Sequence, residues 1–148
     1  MREGDIAPNF RLKDQDGNDF ELYKNLTAKI LLIFYPKDNT PVCSSQLSEY
    51  NSNINEFSRH EIKLVGISTD SVISHLGFSS NLKLKFSLLS DIDKSVSKKY
   101  KALNLFGINK RKLVLISIDR KILWIGNMLP VNYLKSGEIL SSIKRFAL

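Results

Sequence analysis

The residues best able to do chemistry crowd into one stretch, Tyr35-Pro36-Lys37-Asp38-Asn39-Thr40-Pro41-Val42-Cys43, which holds the only cysteine of 148 residues. A cysteine reacts as its thiolate, and whatever charges that sulfur makes it a nucleophile. Thr40 fits the N-cap of a helix and Pro41 its first position, so Cys43 falls in the first helical turn. There the unpaired backbone N–H groups and the helix dipole favour an anion. Thr40 adds a hydroxyl three residues before the sulfur, while Pro36 and Pro41 stiffen the loop. The opposing reading is plainer: free cysteines are usually small buried hydrophobes, and proline with threonine is ordinary strand ending and helix capping. Position alone leaves both open.

The elements that must position this stretch can be read from periodicity. Lys29 to Tyr35 is a continuous apolar run of strand length, as expected of a central strand covered on both faces. After it, Leu47, Tyr50, Ile54 and Phe57 recur at helical spacing from Pro41 onward. Ile62 to Ser68 is a second buried-type strand, followed by a helix with Val72, Ile73 and Leu76 that Asp70 or Ser71 can cap. Phe86 to Leu89 reads as a short strand and Lys94 to Tyr100 as a helix. Leu113 to Ile118 and Ile122 to Ile125 read as a hairpin, and Tyr133 to Arg145 as the last helix. At the start, Phe10 to Leu12 and Phe20 to Leu22 flank Asp14-Gln15-Asp16-Gly17, which predicts a small hairpin. Strands alternating with helices, then a terminal hairpin and helix, predict an α/β thioredoxin-like fold: a central mixed sheet flanked by helices, with an N-terminal β-hairpin. In such sheets ligands gather at the carboxyl ends of strands, where the Pro36 to Cys43 loop lies.

Composition narrows the function classes. The length and 43% hydrophobic content predict a single domain over residues 1–148 with one well-filled core. A net charge of +7 could serve nucleic acid, but the basic residues are scattered and runs such as Lys110-Arg111-Lys112 are short. Solvated surface is the expectation, with no nucleic-acid partner. One cysteine excludes an internal disulfide and any multi-cysteine metal site, and it fits a reducing compartment. No apolar run approaches the about 20 residues that a membrane crossing needs, and no leader pattern is present. The expectation is a cytoplasmic protein without a membrane partner.

Pro36, Thr40 and Cys43 spell PxxxTxxC, and the run Phe34 to Cys43 resembles the peroxidatic loop of peroxiredoxins, in particular the bacterioferritin comigratory protein or Q-type subgroup. The resemblance covers nearly the whole chain: Gly4 to Phe10 looks like the family's opening, Val65-Gly66-Ile67-Ser68 and Phe86 to Asp91 like its middle segments. Arg111 falls where the family carries an active-site arginine. The resemblance implies a thiol-dependent peroxidase in which Cys43 attacks a hydroperoxide. Arg111 would stabilise thiolate and peroxide, the Thr40 hydroxyl and the N–H groups of Val42 and Cys43 would bind the peroxide oxygens, and Pro36 would shield the pocket. It implies no cofactor and no metal.

The chain departs from the pattern at Ser48, where many Q-type relatives carry a resolving cysteine, and at Gln46, where they often carry Glu. A one-cysteine cycle is therefore implied, completed by an external thiol such as thioredoxin, glutaredoxin or glutathione. Relatives of this type occur as monomers and homodimers. A competing reading is a binding or holdase protein on the same scaffold with little or no peroxidase activity. His60 and His75 are expected at the surface. Arg120 stands where the family often has Gly in a hairpin turn.

Overall fold

A computed structural model describes residues 1–146, so Ala147 and Leu148 of the expected single domain lie outside the described residues. The chain runs β1 (Arg11–Lys13), β2 (Asp19–Glu21), β3 (Lys29–Phe34), α1 (Pro41–Ser52), α2 (Ile54–Arg59), β4 (Ile62–Ser68) and α3 (Val72–Leu82). It continues through β5 (Ser87–Ser90), α4 (Ser95–Lys99), β6 (Lys112–Ile116), β7 (Ile122–Asn127) and α5 (Ser136–Ser142), with 3-10 turns at Tyr23–Asn25 and Lys144–Phe146. The seven strands form one sheet in the order β2-β1-β5-β4-β3-β6-β7. Strands β3, β4 and β5 are parallel neighbours, while β6 pairs antiparallel with β3 and β7 with β6. This is the expected mixed sheet, with β1 and β2 supplying the N-terminal hairpin.

Strand β3 is the axis of the molecule because its side chains alternate into two cores. Ile30, Leu32 and Phe34 face the cluster that Phe10, Phe20, Val96 and Tyr100 close, whereas Leu31, Ile33 and Tyr35 face the side of Cys43, Leu47, Tyr50, Phe57, Phe78 and Ile139. All six residues of β3 are buried. Each such aliphatic or aromatic side chain contributes about 1.5–3 kcal/mol on leaving water, so the strand before the reactive loop is rigidly seated. Gly66 lets β4 lie close beneath Tyr35, since a Cβ there would meet Leu88 Cδ2 at 2.7 Å and Tyr35 Cε1 at 3.3 Å.

Several expectations need correction. The helix after Pro41 breaks at Asn53, which separates α1 from α2 although Leu47, Tyr50 and Phe57 keep their buried face. The last helix is shorter than periodicity suggests, because Tyr133 and Leu134 are spent on contacts with α1 and Lys135 is the N-cap. In α3, Ile73 and Leu76 are exposed while His75 and Phe78 face inward. His75 is thus not a surface histidine: it is fully buried, because an acidic partner and a carbonyl await it inside. The run Lys110-Arg111-Lys112 is no solvated patch either. Arg111 and Lys112 are buried at the start of β6, and the Lys112 ammonium donates to the Tyr100 carbonyl at 2.9 Å. At Arg120 the backbone takes φ +73°, the left-handed region that glycine fills most easily.

Candidate active site

Register explains how residues far apart in sequence meet. Phe34 of β3 lies opposite Lys112 of β6, so the loop leaving β3 and the residue entering β6 emerge side by side at one sheet edge. Pro36 is half-buried at the end of β3, and α1 opens at Pro41 with Cys43 in its first turn. The sulfur-bearing residue is fully buried. Arg111, itself 4% exposed, donates from Nη1 to the Cys43 sulfur at 3.0 Å. The same nitrogen donates to Gln46 Oε1 at 3.0 Å, and Nε donates to the Pro130 carbonyl at 2.8 Å. A guanidinium has no acceptor capacity, so the sulfur must be the acceptor in this contact. That is the role a thiolate fills well, in a setting where a charge-assisted bond is strongest.

Gln46 lies one helical turn after Cys43 and is fully buried. Its Oε1 accepts from Arg111 while its Nε2 donates to the Tyr50 hydroxyl at 3.2 Å, and that hydroxyl donates to the Leu134 carbonyl at 2.7 Å. The uncharged amide thus keeps the network connected and leaves the guanidinium charge directed at sulfur. Burial holds the Tyr50 hydroxyl well above the ordinary tyrosine range, so it stays a donor.

Thr40 occupies the N-cap position with extended backbone, φ −97° and ψ 150°, but its hydroxyl caps nothing. It donates instead to the Lys37 carbonyl at 3.0 Å, closing the loop on itself. Among the described residues it makes no hydrogen bond to the Cys43 sulfur, so the structure joins Cys43 with Arg111 but does not bring the Thr40 hydroxyl onto the sulfur. The first backbone bond of α1 runs from Ser44 N to the Thr40 carbonyl at 2.8 Å. The N–H groups of Val42 and Cys43 precede it and point out of the helix start, where an anionic oxygen would be received.

Sequence reasoning missed the other half of the loop's support. Asp38 is buried. Its Oδ1 accepts from the Tyr35 hydroxyl at 2.6 Å, and its Oδ2 from the Ser74 hydroxyl at 2.8 Å and His75 Nδ1 at 2.7 Å. The Asp38 N–H donates to Asp70 Oδ2 at 2.8 Å, and the Ser68 hydroxyl donates to that same oxygen at 2.6 Å. A usable signal existed in the sequence: His75 stands three residues before Phe78 on the buried face of α3. Asp38, Asp70 and His75 place possible metal-ligand atoms within 4.8 Å of one another. The Leu89 carbonyl, 3.0 Å from His75 Nε2, can only accept, so Nε2 carries a proton, while Nδ1 faces Asp38 Oδ2 at 2.7 Å.

With fold and site in view, the sequence relationships agree. The family described as AhpC/TSA matches residues 4–125. A Helicobacter pylori (strain J99) relative named peroxiredoxin bcp is 42% identical over 102 residues, covering 69% of this chain and 67% of that protein. Among solved structures, a cysteine-to-serine mutant of Xylella fastidiosa PrxQ superposes with TM-score 0.90 at 27% identity, covering 100% of this chain and 98% of that one. The yeast mitochondrial 1-Cys peroxiredoxin, solved to explain thiol resolution via glutathione/thioredoxin systems, gives TM-score 0.89 at 25% identity over 97% of this chain and 75% of that one. The chain belongs to the AhpC/TSA family and is a peroxiredoxin of the bcp or Q type carrying one cysteine. It is a thiol-dependent peroxidase of thioredoxin-like fold.

Proposed function

We propose that the protein reduces hydrogen peroxide, and organic hydroperoxides besides, in a one-cysteine cycle centred on Cys43. The observation that carries this reading is the Arg111 Nη1 donor 3.0 Å from a buried sulfur at a helix start. The Cys43 thiolate attacks the terminal peroxide oxygen, an S–O bond forms and the O–O bond breaks. The bonding pair leaves with the distal oxygen as hydroxide or alkoxide, which takes up a proton, and the sulfur becomes a sulfenic acid. Arg111 holds the thiolate and the departing charge. The N–H groups of Val42 and Cys43, with the Thr40 hydroxyl after it leaves the Lys37 carbonyl, receive the peroxide oxygens, and Pro36 walls the pocket.

With Ser48 in place of a resolving cysteine and no other cysteine in the chain, an external thiol completes the cycle. It condenses with the sulfenic acid, releasing water and leaving a mixed disulfide, and a second thiol returns Cys43 and carries away a disulfide. Thioredoxin, glutaredoxin and glutathione are the candidates in a reducing cytoplasm, and the glutathione and thioredoxin systems named for the yeast 1-Cys relative support that class. Among the described residues no helix is long and apolar enough to cross a membrane. The molecule acts as a monomer or homodimer. Peroxide turnover with dithiothreitol tests the reading, comparing the protein with Cys43→Ser. The parent should turn over and gain one oxygen at Cys43 after one equivalent of peroxide, as read by mass spectrometry. Equal activity in both proteins, or an unmodified parent thiol as a holdase would show, would overturn it.

A further inference from the structure

We infer that the turn at residues 104–108, with the lysines around it, is a docking surface for an anionic phospholipid bilayer, to which the protein binds peripherally. Leu105 and Phe106 stand at its tip with 101% and 86% exposure, and Ile108 beside them is 52% exposed. Single exposed apolar residues are ordinary, but three gathered on one protruding turn are a patch of the kind that marks an interaction surface. The turn is braced to hold that shape. Leu103 bridges to Asn109 across its base, and the Lys110 N–H donates to the Ala102 carbonyl at 2.7 Å. The Gly107 N–H donates to the Asn104 carbonyl at 3.0 Å and the Asn104 N–H to the Ile108 carbonyl at 2.8 Å. Asn104 Oδ1 accepts from the N–H groups of Phe106 at 2.8 Å and Ile108 at 3.0 Å. The N–H groups of Phe106, Gly107 and Ile108 thus have acceptors within the protein, and the tip can leave water without stranding them.

Charge decides which apolar medium the tip suits. Across residues 92–112, Lys94, Lys98, Lys99, Lys101 and Lys110 are exposed against a single exposed carboxylate, that of Asp93. Helix α4 and the turn are joined directly, since the Lys94 ammonium donates to the Gly107 carbonyl at 2.7 Å. Lys98 follows one helical turn after Lys94, its N–H donating to the Lys94 carbonyl at 2.9 Å, and Lys101 and Lys110 flank the base of the turn where Lys110 meets Ala102. An apolar tip with cations at its base is the arrangement of interfacial anchors: leucine and phenylalanine enter the boundary between headgroups and acyl chains while ammonium groups meet lipid phosphates. A second copy of this chain is the poorer occupant, because a two-fold dimer through this face would bring the lysine cluster against its like. The fold gathers lysines that look scattered in the sequence, and so departs from the expectation of solvated charge without a membrane partner. A peripheral contact needs no spanning helix. Lys110 adjoins Arg111, so the patch lies next to the candidate active site, but binding does not depend on the peroxidase reading.

Vesicle sedimentation of the full chain is the test. The parent should bind vesicles of phosphatidylglycerol mixed with phosphatidylcholine, ignore vesicles of phosphatidylcholine alone, and come off at high salt. Lys98→Gln with Lys99→Gln should weaken binding by about 25-fold, about fivefold for each lysine. Lys63→Gln with Lys85→Gln removes equal charge from exposed positions and should stay within about threefold of the parent. Lys63 pairs with Ile30 near the start of β3, whereas Lys112, just beyond the turn, pairs with Phe34 at its end, so this control lies at the opposite sheet edge. Leu105→Ser with Phe106→Ser, at exposed positions that folding does not need, should weaken binding by at least about tenfold. Phe106→Trp should add an emission that shifts to the blue only with phosphatidylglycerol present. Absence of binding at low salt would overturn the inference. Equal losses from the two lysine pairs, or binding unmoved by the serine pair, would overturn it by leaving net charge alone as the cause. A parent dimer that the serine pair converts to monomer would assign the patch to a second copy, and a polyglutamate peptide bound as tightly as the vesicles would assign it to an acidic protein; either overturns the bilayer. Peroxide turnover in buffer is read separately, and a parent without it would refute the peroxidase reading while leaving the binding result intact.

Discussion

Replacing Arg111 is the most direct probe of the site. Its guanidinium makes three bonds from a single buried position: to the Cys43 sulfur, to Gln46 Oε1 and to the Pro130 carbonyl. Arg111→Met keeps most of the volume and deletes all three. Loss of one preorganised donor at a centre of developing charge costs about 10²–10³ in rate, roughly 3–4 kcal/mol of barrier. Gln46, fully buried, is left with an unpaired oxygen that costs about 1–3 kcal/mol of stability. Arg111→Lys separates charge from geometry. A single ammonium can meet one of the three acceptors but lacks the planar fork, so an intermediate loss of about 10–100-fold is expected if shape matters as well as charge. Rapid-quench mass spectrometry of the sulfenic acid under excess peroxide reads the first step without any reductant. Oxidation of folded Arg111→Met within threefold of the parent would refute the role given to this contact, and a fully active lysine variant would refute the geometric part.

Other expectations follow from features described above. Gly66→Ala should destabilise by about 1–3 kcal/mol, because its methyl meets Leu88 at 2.7 Å within a packed sheet face, and chemical denaturation will show it. Burial holds the hydroxyls of Tyr35, Tyr50 and Tyr100 above the ordinary range in the folded state. Above pH about 10 the unfolded chain loses these protons while the native chain keeps them, so stability present below that pH should fall by up to about 1.4 kcal/mol per pH unit for each tyrosine. Lys112, lowered by its own burial, contributes with opposite sign just below its ordinary range, and denaturation midpoints taken from pH 8 to 11 will show the net fall. Installing a thiol by Ser48→Cys should yield an internal disulfide with Cys43 more slowly than sulfenic acid appears. Residues five apart in an intact helix lie roughly 8–9 Å apart, beyond the about 7 Å a disulfide spans, so α1 must first unwind. Equal rates in peptide mapping would show that α1 is already open.

The fold was legible because its signals are local. Lys29 to Tyr35 and Ile62 to Ser68 are apolar runs of strand length that suit strands covered on both faces, and Thr40-Pro41 marks a helix start whatever the capping hydroxyl does. The pairing of Cys43 with Arg111 was legible only through family resemblance, since 68 residues separate them and nothing local links them. Arg111 also hides inside a basic run that reads as surface, and only β6 register shows it turned inward. Asp38 and His75 were missed for a related reason. A loop aspartate and a helical histidine are both ordinary surface residues in isolation, and their burial is made tolerable by a partner 37 residues away. Thr40 shows the converse: the position was readable, but the acceptor its hydroxyl chooses depends on how Lys37 folds back.

The stretch from Met128 to Ser136 adds a consequence for comparing this protein with its relatives. The family match ends at residue 125, yet Pro130 supplies an acceptor for Arg111, and Tyr133, Leu134 and Ser136 bind α1. The sulfur, its arginine and its loop thus lie within the matched portion, while part of the bracing of Arg111 and α1 comes from residues after it. Replacing residues 128–136 should therefore loosen both Arg111 and α1 while leaving Cys43, Thr40 and Arg111 themselves unchanged.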